Sequence, residues 1–195
     1  MKQLLDDLAM YTALQSSKKK VERVEVEGEE FFDMLLSGYE EPCNEKGIIL
    51  TVVLESASSY SVNVKDMIRI VDNVMANAIR YTDETKNIWL AAISAENPLP
   101  DWIFPPFYKE LEEWGQNGTI LLVQNEGESI PVTQQELVFN PFFQVEGARG
   151  HGGSSGLGLS ITKMLIEQHN GKIKLWSTDA YGTLIACWLE ERTVH

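Results

Sequence analysis

Residues 66–82, Asp-Met-Ile-Arg-Ile-Val-Asp-Asn-Val-Met-Ala-Asn-Ala-Ile-Arg-Tyr-Thr, constrain this chain more than any other stretch. At about 100° per residue, Asn73, Asn77 and Arg80 fall on one stripe of a helix, with Tyr81 at its edge. Met67, Ile70, Val71, Val74 and Ala78 fall on a separate apolar stripe. Such a helix packs with one face and shows carboxamides, a guanidinium and a phenol on another. Amide oxygens can ligate a hard cation, and a guanidinium can hold phosphate. A surface helix with polar caps has the same pattern, so this segment alone leaves both readings open.

The remaining patterns place elements around that helix. Residues 3–19 read as a helix with a narrow stripe of Leu4, Leu8, Tyr11 and Leu14, the mark of a seam against a partner helix. Alternation over Val21–Glu27 predicts a strand, residues 29–41 a helix with Pro42 and Gly47 at its exit, and Ile48–Glu55 a buried strand. The Ser-rich stretch 56–61 reads as a turn, followed by a short strand around Val62–Val64. Strands are also expected at Asn87–Ser94, Thr119–Gln124, 172–178 and 183–190, and a helix at Gly156–Asn170 stopped by Gly171. Segment 95–118 carries four prolines and the aromatics Trp102, Phe104, Phe107, Tyr108 and Trp114, with a short helix expected at 107–114. So many aromatics do not hang free in water, so the segment either packs back on the domain or forms a docking surface. Helices interspersed with adjacent strands predict a two-layer α/β (α+β) sandwich: a mixed, mostly antiparallel sheet of about five strands covered by about three helices.

Composition narrows the function classes. With 195 residues and 44% apolar content, the chain can bury one substantial domain. A net charge of −13 argues against a nucleic-acid surface, which needs clustered Lys and Arg. Cys43 and Cys187 have no metal-type spacing and read as reduced, buried thiols. The longest apolar run, Ile48–Leu54, is too short to cross a membrane, and Asp6 and Asp7 break any secretion signal at the start.

Two further elements carry chemistry. Gly152-Gly153-Ser154-Ser155-Gly156-Leu157-Gly158-Leu159 opens a helix whose free N–H groups attract anions, although a flexible linker accounts for it almost as well. It lacks the Gly-Lys-Ser/Thr of a P-loop and the acidic partner of a dinucleotide-binding turn. Val123-Gln124-Asn125-Glu126-Gly127-Glu128-Ser129-Ile130-Pro131 ends a strand, where Asn125 could accept from an exocyclic amine and donate to a ring nitrogen. Alone, it reads as a plain turn.

In combination, the Asn pair, Asn-Glu-Gly-Glu-Ser-Ile-Pro, Phe139-Asn140-Pro141-Phe142-Phe143 and Gly-Leu-Gly-Leu-Ser-Ile resemble the catalytic ATP-binding (Bergerat-type) domain of sensor histidine kinases of two-component systems. The likeness covers about residues 20–190, and Gly182-Thr183 resembles the family's last glycine element. It implies a catalytic domain over 20–195, with 1–19 the end of a dimerisation-hairpin helix, 95–118 an insertion and 144–155 a mobile lid over ATP. By the resemblance, Asn77 would ligate Mg²⁺, Asn73 would lie near the terminal phosphates, Arg80 would hold phosphate and Tyr81 would pack beside the nucleotide. Asn125 would meet the adenine amine, Gly127 and Ile130 would line the base pocket, and Thr183 would sit near the base. Gly153, Gly156, Leu157, Gly158 and Leu159 would surround the phosphates, with Arg149 or His151 reaching in from the lid.

The implied activity is transfer of the γ-phosphoryl group of ATP to a histidine on a dimerisation hairpin N-terminal to Met1, and from there to a response regulator. His169 reads instead as a helix cap. The implied setting is the cytoplasmic part of a membrane-anchored sensor, without nucleic-acid or membrane contact by this portion, as a monomer or weak homodimer. The family usually has an aspartate at Asn125 and a glycine at Ser129; the neutral amide forfeits a charge-assisted bond worth about 1 kcal/mol. Two other readings share the fold: an ATP hydrolase, disfavoured because the carboxamide of Asn73 cannot act as a base on water, and a degenerate docking module without kinase activity.

Overall fold

The computed structural model describes residues 2–16, 22–55, 59–114, 117–145 and 155–190. A helix, α1 (Lys2–Ser16), leads into strand β1 (Val24–Glu27) and helices α2 (Gly28–Ser37) and α3 (Glu40–Glu45). Strands β2 (Ile49–Glu55) and β3 (Ser59–Val62) precede the long helix α4 (Val64–Tyr81) and strand β4 (Asn87–Ser94). Then come α5 (Pro105–Glu112), β5 (Gly118–Asn125), the short α6 (Val132–Gln135) with a 3₁₀ turn at Leu137–Phe139, α7 (Gly158–Gln168), β6 (Lys172–Thr178) and β7 (Gly182–Glu190).

Five strands form one sheet in the order β2-β4-β5-β7-β6. The β2–β4 pair is parallel, as a crossover through α4 requires, and the other pairs are antiparallel. The expected mixed, mostly antiparallel sandwich is thus borne out. A separate two-stranded ribbon pairs β1 with β3, Val26 opposite Tyr60.

Strand alternation decides which side chains meet the helices. Leu90 and Ala92 of β4, Leu121 and Val123 of β5, and Ile185, Cys187 and Leu189 of β7 join Phe32, Ile70, Val74, Leu157, Ile161 and Leu165 in the main core. The intervening residues Ala91, Ile93, Ile120, Leu122, Leu184 and Ala186 face the other way. There the aromatic insertion covers them: Leu99, Ile103, Leu111 and Trp114 are buried against that face. Phe107 stacks on Trp176 with ring centroids 5.0 Å apart, and Phe104 stacks on Tyr181 at 3.7 Å. Glu110 fastens α5 to β6 by an ion pair with Lys174 and by accepting from Trp176 Nε1 at 3.2 Å. The insertion is therefore packed back on the domain and supplies a second apolar layer.

Several local expectations shift. The helix expected over 29–41 breaks at Gly38 and restarts as α3, where Pro42 sits within the first turn, a position whose N–H needs no helical partner. β2 is largely exposed because it is the sheet's edge. The short strand expected around Val62–Val64 lies earlier, at Ser59–Val62, partly in the expected turn, and pairs with β1; Asn63 caps α4 by accepting from Asp66 N at 3.0 Å. The predicted short helix begins two residues earlier, at Pro105. α7 ends at Gln168, short of the expected Asn170; beyond it Asn170 adopts the left-handed conformation (φ 56°), and Gly171 donates its N–H to Ile166 O.

Gly182 opens β7 at φ +72°, and a Cβ there would lie 2.0 Å from the carbonyl oxygen of Asn125. Gly182→Ala should destabilise the chain by about 2 kcal/mol or more in urea denaturation, through left-handed strain and displacement of the β5 end. Cys187 is sealed in the core, and burial pushes its thiol up from 9.0 to about 12. The folded chain keeps a proton that the unfolded chain releases, so the associated stability is complete below about pH 9 and is lost as pH rises towards 12. Urea midpoints should fall over that range in the wild type and fall less in Cys187→Ala.

Candidate functional site

α4 buries Met67, Ile70, Val71, Val74 and Ala78, as the apolar stripe predicts, and Met75 with them. This rotation leaves Asn73, Asn77 and Arg80 half-buried along the rim of a cleft of about 230 Å³, with Tyr81 37% exposed at its end. Lys46 of α3 holds the C-terminus of this helix, its ammonium donating to the carbonyls of Ile79 (2.5 Å) and Arg80 (3.1 Å).

Across the cleft stands the start of α7. Asn73 Nδ2 donates to Gly158 O at 3.0 Å and to Thr162 Oγ1 at 3.1 Å, tying the two helices together. The cap residue Leu157 offers no side-chain acceptor to the first turn. The leading N–H groups of α7 therefore lack a side-chain cap at the cleft that Gly156, Gly158 and Leu159 line. Gly156 adopts φ +67°, and a Cβ there would lie 2.8 Å from Phe142 Cα, while its carbonyl accepts from Phe142 N at 2.8 Å.

The floor is built by the sheet. Asn125 and Thr183 are register partners at the ends of β5 and β7, on the helix-facing side, and both line the cleft. Asn125 is 7% exposed. Ile130 N donates to Ser177 Oγ at 2.8 Å, and Ser177 Oγ lies 2.7 Å from Thr183 Oγ1, with either hydroxyl able to donate. Gln135 Nε2 donates to Ile130 O (2.9 Å) and Ser177 O (2.8 Å), holding that wall in place. The floor and walls of the cleft are thus mixed: Val74, Val123, Val138 and Ile185 offer apolar surface beside a few polar groups, a composition suited to a flat heteroaromatic ring.

Most of the predicted site converges here: Asn73, Asn77, Arg80, Tyr81, Asn125, Ile130, Gly156, Gly158, Leu159 and Thr183 all line one cleft. Two residues differ. The Leu157 side chain is fully buried in the main core, because the helix-leading position points it towards the sheet. Gly127 does not line the cleft; a Cβ there would lie 2.3 Å from Tyr81 O, so this glycine lets the β5 end pass against the end of α4. Gly153, Arg149 and His151 lie outside the described residues, as does most of the expected lid 144–155.

Sequence reasoning missed Asp7. This residue of α1 is 3% exposed, forms an ion pair with Arg69 of α4, accepts from Ser155 Oγ at 2.7 Å and lines the cleft. Its bond to Ser155 spans 148 residues, so no local pattern announces it. Ser177 was missed as well, although its place on β6 opposite Thr183 follows once the β6–β7 hairpin is drawn. His169 caps α7 as expected, and its Nε2 also lies 3.0 Å from Asp66 Oδ2. Among the described residues no group of His, Cys, Asp and Glu is arranged to hold a metal ion by itself, and no helix is long and apolar enough to cross a membrane.

Comparison with known proteins gives the same outline. The family model for histidine kinase-, DNA gyrase B- and HSP90-like ATPases matches residues 62–193. The sensor protein kinase WalK of Staphylococcus saprophyticus is 24% identical over 183 residues, covering 93% of this chain and 27% of that protein. WalK of Staphylococcus aureus is 23% identical over 93% of this chain and 40% of its own length. The chain thus spans well under half of these relatives. Among solved structures, full-length ShkA in complex with AMPPNP superposes with a TM-score of 0.75 at 18% identity, covering 98% of this chain and 36% of ShkA. The mycobacterial sensor histidine kinase MprB gives 0.64 at 24% identity, covering 88% of this chain and 100% of that one.

Proposed function

The chain belongs to the family of histidine kinase-, DNA gyrase B- and HSP90-like ATPases, and from that premise we propose that it is the ATP-binding catalytic domain of a two-component sensor kinase. In this reading it binds ATP with Mg²⁺ and delivers the γ-phosphoryl group to a histidine on a dimerisation hairpin outside this sequence, for onward transfer to a response regulator. It works on the cytoplasmic side, and α1 is the end of that hairpin. One observation carries the reading: the Asn73–Asn77–Arg80 row and the uncapped start of α7 face one cleft whose floor holds Asn125 and Thr183.

The chemistry divides among these groups. Asn125 and Thr183 hold the base edge, while Val74 and Ile185 pack on its flat faces. The α7 N–H groups and the Arg80 guanidinium hold the phosphate oxygens by charge and dipole. The amide oxygens of Asn73 and Asn77 would give Mg²⁺ one or two ligands, with phosphates completing the shell; among the described residues no group of His, Cys, Asp and Glu is arranged to hold the ion by itself. Asn77 is assigned as the ligand through its amide oxygen, while Asn73, tied to α7 through its amide nitrogen, stands near the terminal phosphates. Bound there, the ion would neutralise phosphate charge. The acceptor imidazole attacks the γ-phosphorus, the bond to the β-phosphate oxygen breaks and ADP leaves. This transfer relies on positioning and electrostatics. The carboxamide of Asn73 cannot take a proton from water, so transfer is favoured over hydrolysis.

Titration calorimetry with AMPPNP and Mg²⁺ tests the reading. The intact chain should bind, and Asn77→Ala should weaken binding at least about tenfold and remove its Mg²⁺ dependence; unchanged binding would show the residue assignment to be wrong. Acid-labile labelling of an added histidine-bearing hairpin by γ-labelled ATP, lost in the same variant, tests the transfer. A second expectation concerns Asp7, a carboxylate on the cleft wall beside Ser155 and the start of α7. Asp7→Asn keeps a hydrogen-bonding side chain and removes the charge facing the phosphates, so affinity for the triphosphate should rise severalfold, by less at high salt.

A further inference from the structure

Asn125 makes no side-chain hydrogen bond to any described residue, although it is more than nine-tenths buried and lines the cleft. Among the described residues its amide therefore has no partner that fixes which end is oxygen and which is nitrogen. A half-turn about the Cβ–Cγ–amide axis exchanges an acceptor for a donor at the same place, since the terminal torsion of asparagine is roughly two-fold.

The neighbouring hydroxyls have the same freedom. Ile130 N donates to Ser177 Oγ at 2.8 Å, which leaves the Ser177–Thr183 contact, at 2.7 Å, reversible in direction. When Ser177 donates to Thr183, the Thr183 hydroxyl hydrogen is left for the cleft. When Thr183 donates to Ser177, its lone pairs face the cleft instead. Cross-strand pairing sets Thr183 beside Asn125, so both polar groups at the floor can present either sense. Glu128, an acceptor only, also lines the cleft but is solvent-exposed.

A purine edge offers one of two patterns. Adenine presents an amine donor next to a ring-nitrogen acceptor; guanine presents a carbonyl acceptor next to a ring N–H donor. A fixed acceptor would reject the second by leaving two acceptors face to face, whereas an unlocked amide matches either.

We propose that the base pocket accepts adenine and guanine nucleotides alike, with Asn125 reading either edge by a half-turn of its amide. This inference rests on the nucleotide-binding reading above and extends it to the identity of the phosphoryl donor.

Competition titrations of the full chain with Mg²⁺ and ATP, GTP or ITP test it. GTP should bind within about tenfold of ATP, and ITP, which keeps guanine's carbonyl and ring N–H but lacks its amine, should follow GTP within the same margin. Asn125→Asp should lower the GTP-to-ATP affinity ratio by at least about tenfold, because a carboxylate cannot donate to the guanine carbonyl. A larger gap between ATP and GTP on the unaltered chain overturns the proposal. So does an unchanged ratio in a folded Asn125→Asp variant, or GTP binding that ITP does not share, which would place recognition on the amine. If ATP and GTP both fail to bind, the nucleotide reading itself falls, an outcome distinct from binding ATP alone.

Discussion

The rotation of α4 about its own axis sets everything at the cleft. Burying Ile70, Val71, Val74, Met75 and Ala78 against the sheet leaves the helix one orientation that hides its apolar surface. Each of the four larger side chains contributes about 1.5–3 kcal/mol when fully buried, so another rotation would cost far more than the polar row could return. With the axis fixed, Asn73, Asn77 and Arg80 must face the start of α7. The Asn73 amide then links the two walls through Gly158 O and Thr162 Oγ1. Lys46, bonded to the last carbonyls of the helix, keeps its end from fraying beside Tyr81.

The two faces of the sheet serve different ends. Period-two alternation along β4, β5 and β7 sends one set of apolar residues to the helices and the other to the aromatic insertion. With the outer face covered by Trp114, Leu111 and Phe107, the central strands β5 and β7 are buried on both sides and form a stiff floor. That stiffness matters where β5 and β7 end, because Asn125 and Thr183 take their positions from strand register and not from loop conformation. The glycines at 127 and 182 allow the close approaches there: one against Tyr81 O, the other against Asn125 O.

Much of this could be read before any fold was known. The helix bearing the paired asparagines and the five strands of the main sheet follow from hydrophobic period, while aromatic density leaves the insertion open between packing back and docking. The departures have specific causes. A proline in the first turn of α3 resembles a helix stop in one dimension, although it costs nothing there. The edge strand β2 is as apolar in sequence as a central one, and only its place at the end of the sheet exposes it. The short strand expected at Val62–Val64 begins instead at Ser59, because its bounds are set by pairing with a distant segment, β1. At the site, Leu157 stands among glycines that line the cleft, yet its side chain leads into the core.

By itself the sequence determined which face of α4 is apolar, which residues bear carboxamides and guanidinium, and where backbone N–H groups would be free at a glycine-rich helix start. These are local matters, governed by rotation per residue and by side-chain chemistry. Only the tertiary structure decided that Asp7 lies on the cleft wall with Arg69 and Ser155, that Ser177 relays between Ile130 and Thr183, and that the Asn125 amide has no hydrogen-bond partner among the described residues. Those outcomes depend on segments up to 148 residues apart meeting at hydrogen-bond distance. The relative placement of distant elements comes from burial of the whole core, and no window of neighbouring residues contains it.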